Sequence, residues 1–148
     1  MSALSDSLKA LYPFESHFLD LGGIRYHYLD EGRGEPIVML HGNPTWSFYY
    51  RHLVMDLRSR YRVVAPDHVG CGLSDKPQRY DYTLERHIAN LEVLMEHLGM
   101  KKITLVLHDW GGPIGMGYAV RQPENISRLV VFNTAAFWSP EIPYFLRL

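Results

Sequence analysis

Hydrophobic spacing alternates between two periods along this chain. Residues 36–40 (PIVML), 61–65 (YRVVA) and 102–107 (KITLVL) are short apolar runs of the kind that form buried strands. Between them the period lengthens. Leu84, Ile88, Leu91, Met95 and Leu98 recur in steps of three and four, one face of a helix. Thr83 can cap its start and Gly99 can end it. Residues 45–60 predict an earlier helix, dense in aromatics at its start. Residues 111–121 predict a later one, with Pro113 in the first turn, where proline is tolerated. Residues 128–132 read as a final strand. Two more short strands, 16–21 and 24–29, flank the Gly22-Gly23 turn, with Ile24, Tyr26 and Tyr28 on one side of the second. The first thirteen residues read as a loosely held arm, and the tail 133–148 takes no assignment.

Strands alternating with helices predict an α/β fold, a mostly parallel sheet with helices on both faces. Ligands of such sheets sit beyond the C-terminal ends of the strands. Three segments fall at such ends: 41–50, 67–76 and 108–113.

Composition narrows the function. At 148 residues and 47% apolar, the chain is one domain in size and needs no disulfide or metal to hold a core. Its 15 basic and 16 acidic residues leave a net charge of −1, so a basic field for nucleic acid or anionic lipid is absent. A single cysteine, Cys71, excludes an intramolecular disulfide and a zinc–thiolate cluster, and fits a reducing compartment. No run approaches the ~20 apolar residues of a membrane span. The N-terminus lacks a signal-peptide pattern, and a cytoplasmic location is expected. Nothing in the sequence asks for a cofactor.

The sharpest chemical signal is His108-Asp109-Trp110-Gly111-Gly112, between an apolar strand and a helix that opens in glycines. Such a turn is tight and strained and lifts one side chain above the sheet edge, the geometry of a nucleophile elbow. Here that side chain is Asp109. Aspartate side chains are ordinarily carboxylates at neutral pH, so such a nucleophile needs no base for its attack. Carboxylates suit attack at a carbon bearing a good leaving group or held in a strained ring. An aspartate here also serves as a plain helix cap. Gly111, Gly115 and Gly117 are expected to let the helix approach the sheet closely.

The second segment is His41-Gly42-Asn43-Pro44, directly after a buried strand. In an elbow architecture this loop and the residue after the nucleophile, Trp110, supply the backbone N–H groups of an oxyanion hole. The Asn43 amide and the Trp110 indole add donors for a leaving anion. Taken alone, Asn43-Pro44 reads as a turn and Trp110 as core. The third segment, 66–77, reads as scaffold, with Asp67 tying loops together and Asp75 fixing its own turn. Cys71 lies in it without a placed base and reads as inert.

These segments, HGNPTWSFYYR, DHVGCGLSDKP and HDWGGPIG in this order, resemble the α/β-hydrolase superfamily and within it the haloalkane dehalogenase branch. The resemblance runs from about Ser16 to Pro140. DHVGCGLSDKP together with RLVVFNTAAF is similar to the β-lactone decarboxylases of bacterial long-chain olefin biosynthesis, which convert cis-β-lactones to cis-alkenes and CO₂. Asn133 stands where some dehalogenases carry the catalytic acid, which counts against that subclass. The resemblance implies Asp109 as nucleophile, Asn43 and Trp110 as the anion-holding pair and oxyanion hole, and His41, Gly42, His108 and Gly111 as supporting loop residues. It implies a small apolar substrate, a long-chain β-lactone or a haloalkane. It also leaves room for a homo-oligomer or for pairing with enzymes of the same pathway.

The family also needs a late histidine, oriented by an acid, beyond a cap domain. None of the eight histidines, the last of which is His108, falls in that region. Residues 16–137 are therefore expected to form the N-terminal part of the core, after an arm at 1–15, with 138–148 opening the cap. The expected activity is a β-lactone decarboxylase, with haloalkane dehalogenase as the alternative. A non-catalytic fragment lacking its general base is the third reading. His87 and His97 are expected to face solvent, and strand 128–132 to form an exposed edge that invites association.

Overall fold

In the computed structural model, which describes residues 6–135, six strands form one sheet. β1 (His17–Asp20) and β2 (Arg25–Glu31) pair as an antiparallel hairpin, and β2 pairs antiparallel with β4 (Tyr61–Pro66). From there the sheet is parallel: β4 beside β3 (Glu35–Leu40), β3 beside β5 (Ile103–His108), β5 beside β6 (Ile126–Phe132). The spatial order is β1-β2-β4-β3-β5-β6. β3 thus has its sequence successors on opposite sides. Its C-terminal end is the switch point where such sheets place their ligands.

Four helices complete the described fold: α1 (Asp6–Leu11), α2 (Arg51–Leu57), α3 (Leu84–His97) and α4 (Gly111–Arg121). α3 and α4 cover one face. Ile88, Leu91, Leu94, Ile114 and Tyr118 pack there on Val38, Val64, Leu105 and Leu107, together with Tyr26 and Tyr28 from β2. The opposite face is thinner. Val54 of α2 and Tyr50 pack on Ile37, Met39, Val63 and Ala65. α3 begins where expected: Thr83 Oγ1 accepts the Arg86 N–H at 3.2 Å, and Gly99 at φ 61° follows its end.

Three expectations are corrected. Residues 45–60 do not form one helix. A 3₁₀ turn over Ser47–Tyr50 leads into α2. Thr45 spends its N–H and hydroxyl on the Gly42 carbonyl, at 3.0 and 2.8 Å, and Ser47 gives its N–H to Asp67 at 2.7 Å, so these groups are committed to loops. The N-terminal arm is not loose at its end. Tyr12 is buried against Trp46 and Phe48, and its hydroxyl hydrogen-bonds to Ser47 Oγ. Gly117 does not face the sheet. It lets α4 approach Ile88 of α3, while Gly111 and Gly115 face Leu40 and Leu107 of the sheet as expected. The segment 138–148, expected to open the cap, lies outside the described residues. No helix among the described residues is long and apolar enough to cross a membrane.

Candidate active site

Asp109 sits between β5 and α4 at φ 50°, in the left-handed region that an L-residue enters at a cost of about 1–2 kcal/mol. The surroundings hold it there. Its carbonyl accepts the Gly112 N–H at 2.9 Å and the Thr134 hydroxyl at 2.5 Å. A side chain at Gly42 would collide with the Asp109 carboxylate, and one at Gly111 with the Leu40 carbonyl. Both positions are therefore glycine for steric reasons. The N-terminus of the 11-residue α4 follows at once, so the carboxylate lies at the positive end of the helix dipole.

Opposite the elbow, the loop after β3 brings Asn43 up to the carboxylate. The Asn43 backbone N–H donates to Asp109 Oδ1 at 2.8 Å. The Asn43–Pro44 peptide is cis. Trp110, 44% exposed, lines the same opening as Asn43. Asp109, Asn43, Gly42, Gly111 and Trp110 are thus brought together. His41 and His108 are not placed on the carboxylate. His108 stacks on Tyr49 with ring centroids 4.7 Å apart, and the fully buried His41 turns toward His68. Among the described residues, no imidazole hydrogen-bonds to Asp109.

Beneath these loops Asp67 acts as a hub, as expected. Fully buried, its carboxylate accepts the N–H groups of Ser47 and Leu73, each at 2.7 Å, and lies 2.9 Å from His27 Nδ1. Burial pushes its pKa up, but the His27 ring and the two backbone donors outweigh that and hold it below the ordinary carboxylate range. Asp75 closes its own loop through its carbonyl, which accepts the Gly70 N–H at 2.9 Å, and its carboxylate adds a tie to β2 by accepting the Arg25 N–H at 2.8 Å.

A cavity of about 510 Å³ opens beside the elbow. Asn43 and Trp110 form its rim; Val69, Cys71, Tyr82, Leu84 and Ile114 form much of its wall, with His68 and His87 on it. His87 is therefore not a solvent-facing residue, which corrects the sequence reading. Its ring meets His68 edge-on at 5.6 Å. The spacing carried that signal: residue 87 is three after Leu84 and four before Leu91, on the apolar face. His97 is exposed as expected. Burial, and next the Asp67 charge, push the Cys71 thiol up, so it stays protonated and a poor nucleophile.

Comparison with known proteins agrees with this geometry. Residues 35–147 match the family model described as the alpha/beta hydrolase fold. A cis-3-alkyl-4-alkyloxetan-2-one decarboxylase of Shewanella oneidensis is 58% identical over 137 residues, covering 90% of this chain and 43% of that protein. Haloalkane dehalogenase 2 of Mycobacterium bovis is 45% identical over 128 residues, covering 86% and 44%. The tetrameric haloalkane dehalogenase DpaA from Paraglaciecola agarilytica superposes with a TM-score of 0.80 at 39% identity, covering 84% of this chain and 45% of that one. The chain therefore spans less than half the length of the curated relatives it matches. With an elbow after β5, a donor loop after β3 and a family match over most of its length, the chain belongs to the α/β-hydrolase fold family.

Proposed function

We propose that this chain carries the nucleophile and the anion-binding loops of a β-lactone decarboxylase that forms a cis-alkene and CO₂ from a long-chain lactone. One observation carries the reading: Asp109 is held at an elbow with its Oδ1 already bonded to the Asn43 N–H. Oδ1 is thereby committed to the donor, and Oδ2 is the oxygen left for attack. As Oδ2 bonds to a substrate carbon, negative charge passes from the carboxylate to the departing group. Oδ1 becomes the ester carbonyl oxygen and stays on its donor. The Asn43 amide and the Trp110 indole receive the departing anion. The cavity beside Trp110, with its apolar wall, suits an alkyl chain. The relative named a decarboxylase at 58% identity, against 45% for the dehalogenase, supports the lactone over the haloalkane.

A haloalkane dehalogenase is the second reading, because the same nucleophile and donors accept a halide. In that case Oδ2 forms a bond to carbon as the carbon–halogen bond breaks and halide leaves. With the lactone, the ring carbon–oxygen bond breaks as Oδ2 bonds to that carbon; loss of CO₂ from the freed carboxylate then forms the alkene and expels Oδ2, so Asp109 is regenerated without water. With the haloalkane the ester must be hydrolysed by an activated water, and no imidazole hydrogen-bonds to Asp109 among the described residues, so at most one turnover per chain is expected there. In this reading the enzyme works in the cytoplasm and associates with itself or with enzymes of its pathway.

The test is to incubate the chain with a cis-dialkyl β-lactone and, separately, with a bromoalkane, following products and intact mass. The expected result is alkene from the lactone, and at most one alkyl adduct, on Asp109, from the bromoalkane. Asp109→Asn, which lowers the nucleophilicity of the side chain, is expected to abolish both. Bromide release without any reaction of the lactone would move the assignment to the dehalogenase. Repeated turnover of the bromoalkane would show that a general base acts on its ester. No reaction with either compound would remove the catalytic reading.

A further inference from the structure

We propose that His68 is a positioning residue whose imidazole locks the loop that aims the Asn43 N–H at the nucleophile. The proposal rests on the reading of Asn43 and Asp109 given above.

The argument starts at one peptide group. The Gly42 carbonyl accepts three hydrogen bonds: from Thr45 N–H at 3.0 Å, from the Thr45 hydroxyl at 2.8 Å and from His41 Nδ1 at 2.8 Å. The N–H of the same peptide belongs to Asn43. In a planar trans peptide the C=O and N–H point in opposite directions. Three donors on the oxygen therefore fix the direction of the N–H, which is the group that holds Asp109 Oδ1.

His41 can serve this carbonyl only as one tautomer. A carbonyl oxygen only accepts, so Nδ1 carries the proton and Nε2 keeps a lone pair. That lone pair accepts the His68 backbone N–H at 2.9 Å. His68 returns the bond: its Nε2 donates to the His41 carbonyl at 3.1 Å. Each residue thus gives one backbone group and one ring group to the other. The rings lie 4.3 Å apart, with His41 0% and His68 5% exposed. The clamp joins the loop after β3 to the loop after β4. Only the ring bond depends on residue 68 being histidine, because any residue there offers the backbone N–H.

The clamp is built from neutral rings. Burial depresses both histidines, and charges on His41 and His87 would depress His68 further; Asp67 and Asp109 pull His41 only partly back. A proton added to His41 must land on Nε2 and destroy the acceptor. That event opens the clamp. His68 Nδ1 is buried with no hydrogen-bond partner among the described residues, and the neutral ring that donates from Nε2 leaves it unprotonated.

The experiment reads the Asn43 amide by NMR in the ¹⁵N-labelled chain. His68→Leu keeps the bulk and removes the ring donor. It is expected to shift the Asn43 amide proton upfield and to speed its exchange roughly tenfold, while amides of the β1–β2 hairpin stay in place. His68→Gln can still donate to the His41 carbonyl and is expected to restore both readouts. An Asn43 amide unchanged in His68→Leu, or a glutamine variant as loose as the leucine one, would overturn the proposal. Should the leucine variant fail to fold, the parent chain decides through the ring nitrogens of His68, read by ¹⁵N NMR. A proton on Nε2 and a bare Nδ1 are expected. A ring protonated on Nδ1 alone would leave the His41 carbonyl without this donor and overturn the proposal equally. Reaction with the lactone and with the bromoalkane is measured in parallel. A parent chain that reacts with neither would defeat the functional reading while the amide readouts still decide the role of His68.

Discussion

β5 and β6 are neighbours with similar apolar content, ITLVLH against ISRLVVF, and each is followed by a non-glycine residue at positive φ, Asp109 at 50° and Asn133 at 42°. Their fates differ. β5 is paired on both edges and its Leu105 and Leu107 are fully buried. Among the described residues β6 is paired with β5 alone, and Leu129, Val131 and Phe132 are each 47% exposed. Successive strand residues face opposite sides, so both faces of β6 carry half-exposed apolar side chains. An apolar run states how much cover a strand needs. Whether it gets that cover depends on what lies beside it.

The largest effect that sharpens this contrast comes from truncating each strand. Leu105→Ala is expected to cost about 2–5 kcal/mol in urea unfolding, because a cavity opens in a packed core. Leu129→Ala is expected to stay within about 0.5 kcal/mol. Equal costs would mean that β6 is buried in solution, by a second chain for instance.

Second in size is the acid response of the buried loops, to which several groups contribute. His41 and His68 have folded pKa values below their unfolded ones, so the unfolded chain takes up protons first and stability begins to fall below about pH 6.5. Asp67 is likewise depressed, and its contribution is lost as pH falls below about 3.9 and through its folded pKa. Denaturant melts across this range are expected to show a decline in two stages. Asp67→Asn is expected to remove the lower one.

Third, Thr134→Val removes the hydroxyl that donates to the Asp109 carbonyl, a side-chain hydrogen bond between the two strand ends. The expected loss is about 1 kcal/mol, with Asp109 adduct formation slowed. The smallest effect on stability comes from Leu129→Lys with Val131→Lys. These exposed changes are expected to leave the unfolding midpoint almost unmoved while suppressing concentration-dependent association in sedimentation. A parent chain that stays monomeric at all concentrations would show that the bare edge is not sticky.

Much of this was legible in the sequence because it is local. β3, β4 and β5 announce themselves as apolar runs, α3 by its period and Thr83 cap, the elbow by an aspartate before two glycines. What escaped is held by partners distant in the chain. Tyr12 looked like part of an arm because Trp46 and Ser47 are its neighbours only after folding. The helix expected at 45–60 lost its first turn to Gly42 and Asp67. Asp75 reaches back to Arg25. Of the site, the nearness of the Asn43 donors to Asp109 is legible from the elbow logic, whereas the Asn43 N–H on the carboxylate itself, the His41–His68 clamp and the inward turn of His87 need the loops to meet.

The 66-residue separation of Asn43 and Asp109 has a kinetic meaning. The β1–β2 hairpin closes over a short turn and can form early, while the donor and the carboxylate meet only after β3 and β5 come into register across nearly half of the chain. Loop closure of that span carries an entropy cost that local pairing avoids, and non-local parallel pairing is slow. Reactivity at Asp109 should therefore be among the last properties acquired during refolding. Covalent labelling of that one side chain would serve as a clock for completion of the central sheet, read by mass alone.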